Sequence, residues 1–154
     1  MKRPCCIIML IFGIALAALL YKFIVVGETV IASDQRTAIM MTQGERDMVL
    51  GEMRTFLETV QIITAALVKD DLKSAAAAAR KVGMGATGEV PASLVTKLPL
   101  AFKTLGFGTH EKFDQLALNA EQFPDKTETL SALSQLMQNC VACHAAYRID
   151  TEVQ

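Results

Sequence analysis

Cys140, Val141, Ala142, Cys143 and His144 form the stretch of this chain whose residue types and spacing spell out a chemistry. In a Cys-x-x-Cys-His run the two thiols add across the vinyl groups of a haem. The adjacent imidazole is then held against the iron as its proximal ligand. A chain of 154 residues with 4 Cys and 2 His carries this run by chance in about one shuffled version in a thousand. Two other chemistries fit the same residues less well. A thioredoxin-like dithiol calls for a βαβ setting and a helix N-terminus, whose dipole lowers the thiol pKa; here the pair falls late in an apolar-periodic segment. A structural zinc site needs four ligands. Cys140, Cys143 and His144 supply three, and His110, the other histidine, has no second cysteine pair beside it. The run predicts one covalent haem c, attached through Cys140 and Cys143, with His144 as the proximal iron ligand.

The N-terminus predicts where that chemistry takes place. After Lys2 and Arg3, residues 5–27 are apolar apart from Tyr21 and Lys22. As a helix this stretch is about 34 Å long, enough for a hydrocarbon core of ~30 Å. Lys22 lies near its far end and can snorkel to the interface. Positive charge at Lys2 and Arg3 predicts a single pass, N-terminus in the cytoplasm and the rest on the periplasmic face of the inner membrane. The alternative is a signal sequence cleaved after Val30-Ile31-Ala32, which would leave a soluble periplasmic domain. Both routes export the C-terminal part to the side of the membrane where c-type haem is joined. Cys5 and Cys6 fall at the reducing cytoplasmic end and read as ordinary helix-end cysteines.

Residues 1–32 are thus an anchor or signal sequence, 33–43 a short polar linker, and 44–150 one domain. From Ser33 onward the chain carries 12 Lys and Arg against 15 Asp and Glu, a net of −3, and no Trp. That balance argues against nucleic acid and for a basic docking partner.

Helical periodicity dominates the domain. Between Gly44 and about Lys69, Val49, Met53, Phe56, Val60, Ile63 and Leu67 make a heptad stripe. Asp70 or Asp71 caps a second, alanine-rich helix ending at Gly83. Pro91 to Gly108, interrupted by Pro99 and Gly106, predicts one or two short turns crossing to a third helix. Thr109 would cap that helix, with Phe113, Leu116, Ala117, Ala120 and Phe123 on its inner face. After Pro124 a last helix runs from about Lys126 to Tyr147, with Leu130, Leu133, Leu136, Met137, Cys140, Val141, His144 and Tyr147 inward. No segment alternates like a strand. The fold class expected is all-α, an antiparallel four-helix bundle behind an N-terminal transmembrane helix.

Three- and four-residue spacings place Cys140, Cys143 and His144 on one helix face. Arg148, four residues beyond His144, would share that face, as a partner for a haem propionate or as an ordinary exposed arginine. Met53 lies on the heptad stripe and carries a thioether, a known axial donor, although methionine on such a stripe commonly serves packing. Met48 is off the stripe, Met84 sits in a loop and Met137 shares the proximal helix. His110, next to the Thr109 cap, reads as a partly exposed surface histidine, with axial ligation or a redox-linked proton as the alternative.

An exported helical bundle with Cys140-Val-Ala-Cys143-His144-Ala-Ala-Tyr147-Arg148 on its last helix resembles the class II c-type cytochromes, the cytochrome c-prime family. The likeness covers roughly residues 42–150. It implies that a side chain of the first bundle helix approaches the sixth iron position, which again falls on Met53, and that the bundle can pair as a homodimer. Two functions follow. With His144 and Met53 both ligating, the protein is an electron carrier working with a redox partner of a membrane electron-transfer chain. With the distal side vacant, it binds nitric oxide or carbon monoxide. A catalytic role is not expected, because no His, Arg or carboxylate pair is set for peroxide chemistry on the haem-facing stripe of the first bundle helix.

Overall fold

The computed structural model describes residues 3–152. Lys2 and the side chains of Arg3, Cys5 and Cys6 lie outside the described residues. Helix α1 (Arg3–Tyr21) continues into a π-helical turn, Lys22–Val26. The stretch Ile7–Val26 is long and apolar enough to cross a membrane, and none of it is buried against the rest of the chain. Gly27 ends it sharply. Its φ of 68° is left-handed, and a Cβ there would collide with the Lys97 carbonyl and lie 2.7 Å from the Pro99 nitrogen. Glycine is required on both counts.

The 33–43 linker and the absence of strands are both corrected by the structure. Strands β1 (Thr29–Ile31), β2 (Thr37–Met41) and β3 (Tyr147–Thr151) form one sheet in the order β1-β2-β3. β1 pairs antiparallel to β2, and β3 runs parallel to it, from Thr37 opposite Tyr147 to Met41 opposite Thr151. Ala38, Ile39 and Met41 of β2 are fully buried. The physical reason is long-range pairing: a five-residue strand is stable only beside its partner, here more than a hundred residues away.

Thr42 then caps α2 (Gln43–Val68). Its Oγ1 accepts from the Glu45 amide at 3.3 Å, and its own amide donates to Glu45 Oε2 at 2.8 Å, a complete capping box. Asp71 caps α3 (Leu72–Lys81) by accepting from the Ser74 amide at 2.9 Å. A 3-10 segment (Met84–Glu89) and α4 (Ala92–Lys97) lead to α5 (Leu100–Gln122). α5 is one continuous helix, so the predicted break at Gly106 and the Thr109 cap are both corrected. Thr109 instead donates from Oγ1 back to the Leu105 carbonyl at 2.7 Å. Each of Gly106 and Gly108 costs about 1 kcal/mol in a helix, which burial of Phe113, Leu116 and Ala117 outweighs. Pro99 precedes the first turn of α5, where its missing N–H costs nothing.

α6 (Lys126–Ala146), capped by Asp125, closes the helical set. The main core gathers Phe56, Ile63 and Leu67 of α2, the alanines of α3, Phe113 and Leu116 of α5, and Leu133 and Leu136 of α6. A second cluster, Ile39, Met41, Val49, Leu94 and Leu98, joins β2, the start of α2 and α4. The fold is predominantly helical, with a small sheet tying the two ends of the domain together.

Candidate functional site

The Cys140–His144 run occupies the last two turns of α6. Both thiols are free and half-buried, and His144 is exposed. Burial pushes the Cys140 thiol up; burial, and then the neighbouring Cys140, do the same for Cys143. A catalytic dithiol needs the opposite, a helix N-terminus and a depressed pKa. Among the described residues no group of three or more His, Cys, Asp or Glu converges to hold a metal ion on its own.

α6 lies mainly on α5 and touches α2 only sparingly, so part of it has no helix over it. Leu133 and Leu136 are buried as predicted, but Leu130 is 50 % exposed, Met137 42 % and Val141 70 %. Their predicted inward placement is corrected, along with that of His144. Leu130, Met137, Val141 and His144 follow at steps of seven, four and three, which puts them on one face of the helix. An uncovered apolar stripe ending at an exposed imidazole, beside two half-buried thiols, fits a large flat apolar group bound covalently at its edge. These residues therefore fit a haem.

Tyr147 caps α6 and opens β3. Its ring packs edge-on against Phe102 with centroids 5.4 Å apart, and it joins the second core cluster together with Met53 and Ile149. Burial, with Cys143 close by, pushes its phenol up. Met53 is half-buried and packs against both apolar clusters. It and Tyr147, three residues past His144, thus border the same apolar cluster. Met48, Met84 and Met137 are exposed.

Arg148 lies beyond the end of α6, so the four-residue helical spacing from His144 does not apply to it. Strand β3 carries it instead. Its Nη2 is 2.9 Å from Asp150 Oδ1, and its Nη1 is 3.4 Å from Asp34 Oδ2. Sequence reasoning missed Arg36, whose Nη1 donates to the His144 carbonyl at 3.2 Å and the Tyr147 carbonyl at 3.3 Å. Nothing local signals this, since Arg36 is 108 residues from His144 and sits in a polar turn.

His110 is the clearest correction: it is 5 % exposed, inside α5. Its Nδ1 lies 2.8 Å from the Val82 carbonyl and its Nε2 3.3 Å from Glu52 Oε1, while its ring sits 5.0 Å from that of Phe56. A histidine read as cap-adjacent becomes buried once α5 runs through it.

Two surface clefts of about 260 and 490 Å³ lie elsewhere, one between α2 and α3 beside Thr59 and Ala78, the other beside Val30, Arg46 and Ile149. Neither is lined by the Cys140–His144 turn. No protein-family model, curated protein or solved structure matches the chain.

Proposed function

We propose that this chain is a membrane-anchored, exported c-type cytochrome whose domain is an antiparallel four-helix bundle of class II type, formed by α2, α3, α5 and α6. The observation that carries the proposal is the Cys-x-x-Cys-His run on the uncovered part of α6, with its apolar stripe left open. Cys140 and Cys143 hold haem c through thioether bonds, and His144 is the proximal ligand. When bound, the haem iron supplies a one-electron couple. Met53 of α2 is the distal ligand in the electron-carrier reading, and Arg148, four residues past His144, would be the propionate's partner once released from Asp150. A specific observation also favours the gas-binding reading: Met53 is already engaged in both apolar clusters, as a packing side chain would be.

A retained anchor is supported by what cleavage would remove. The Glu28 amide donates to the Lys97 carbonyl at 2.7 Å, and the Met40 amide donates to the Glu28 carbonyl at 2.8 Å. Cutting after Ala32 would take away these bonds and all of β1. The tether keeps the domain near the redox partner of a membrane chain and raises its effective concentration.

The test is the optical spectrum of the full chain, oxidised and reduced, with and without carbon monoxide. A sharp reduced spectrum indifferent to carbon monoxide supports the electron carrier. A broad spectrum that shifts on adding carbon monoxide replaces it with the gas-binding protein. Absence of covalent haem overturns both.

A further inference from the structure

Arg36 belongs to the turn between β1 and β2, yet its guanidinium reaches the end of α6. Nη1 donates to the carbonyl of His144 itself and to that of Tyr147, the residue that caps the helix. The rest of the group is held from the other side. Nε and Nη2 donate to Asp34 Oδ2 at 2.9 and 2.7 Å, and the Arg36 amide donates to Asp34 Oδ1 at 3.2 Å. Asp34 also faces Arg148, which pairs with Asp150. A planar guanidinium clamped on two edges has little freedom left, and a cation at a helix C-terminus complements the unpaired carbonyls there.

The turn that carries Arg36 is itself anchored. β1 begins two residues after Gly27, which is wedged against the backbone of Lys97 to Pro99, and β2 pairs with β3, the strand that α6 runs into. The main chain of His144 is therefore restrained from a second, distant part of the sequence, and not by α6 alone.

We infer that Arg36 is a positioning residue for the proximal ligand: by holding the His144 carbonyl it sets the orientation in which the imidazole is offered. This inference rests on the haem reading above. It goes beyond it by giving the membrane-side hairpin a part in the iron's ligation.

The experiment uses the full chain in detergent or bilayer, purified with its haem. Covalent attachment is read on a denaturing gel, helix content by circular dichroism, and the site by electron paramagnetic resonance of the oxidised form and by the midpoint potential. With Arg36→Gln, haem attachment and helix content are retained, while the resonance broadens and its g-values move because the imidazole is no longer held in one orientation. Removing the positive charge at the His144 end of α6 is expected to favour the oxidised form by up to roughly tenfold, which lowers a one-electron midpoint by about 59 mV. Arg36→Lys, which keeps the charge and one donor, restores part of both. Asp34→Asn leaves the guanidinium in place but loosened; the resonance broadens part of the way while the midpoint, now without a nearby negative charge, does not fall, so the inference stays testable even where Arg36→Gln does not accumulate. Unchanged g-values and potential, with only a lowered melting temperature, would make Arg36 a helix cap and overturn the inference. Wild-type protein without covalent haem overturns the haem reading and this inference with it, a failure visible before any variant is made.

Discussion

His110 of α5 faces Glu52 of α2, Nε2 to Oε1 at 3.3 Å, over a helix-to-helix contact that buries the imidazole, and the two form an ion pair when His110 is protonated. Nδ1 must donate to the Val82 carbonyl, because a carbonyl only accepts. Nε2 then meets the carboxylate productively only when it too carries a proton. One side chain thus ties α5 to α2 and to the end of α3. It does so one residue from Met53, the proposed distal ligand.

This pair predicts a pH dependence of stability. Burial alone would lower the His110 pKa, but the bonds to Glu52 and Val82 outweigh it and raise the value above its ordinary 6.5. A raised folded-state pKa contributes stability that is fully present below the unfolded value and is lost as pH rises through the folded one. Urea unfolding should show His110→Gln less stable than wild type by about 2 kcal/mol near pH 6. The gap should narrow as the pH is raised past the folded value. A gap independent of pH would mean that His110 has the same pKa folded and unfolded, and a gap that narrows as the pH falls would mean that the buried imidazole is neutral.

Replacing both Cys140 and Cys143 by Ala should abolish covalent haem on a denaturing gel, while either single replacement leaves one thioether. Helix content should change little in the haem-free chain, because neither thiol belongs to the buried core clusters.

Met53→Ala separates the two functions. In the electron carrier it opens the iron to carbon monoxide and lowers the midpoint potential, since loss of a thioether ligand favours the oxidised form. In the gas-binding protein the spectrum with carbon monoxide is already present in wild type and only its affinity changes. Either way, removing a half-buried side chain that touches both clusters should cost about 1–2 kcal/mol in denaturant unfolding.

Gly27→Val should destabilise the domain by about 3 kcal/mol, because it combines a left-handed backbone with a collision against the Lys97–Pro99 backbone. Thermal unfolding of the full chain in detergent checks this. A wild-type melting temperature would show the anchor to be joined loosely, contrary to the packing described.

The helical elements were legible because their signals are local. Asp71, one of the two caps expected, bonds the Ser74 amide three residues on, and the α2 stripe from Val49 to Leu67 repeats every three to four residues. Gly106 and Thr109 misled for the complementary reason: local propensity suggested a break, and burial of the residues around Phe113 overrode it. The hydrophobic side chains of α6 were split wrongly, since periodicity marks an apolar face without telling which part of it a neighbouring helix covers.

The five residues of the candidate site are contiguous, so their types and order were complete in the chain itself, as was the apolar N-terminal helix. Their surroundings depend on residues far apart in sequence and were set only by folding. The pairing of β2 with β3, the reach of Arg36 to His144 and the burial of His110 beside Glu52 each join segments dozens of residues or more apart. Contacts of that kind exist only when packing brings the segments together, and no short-range pattern encodes them.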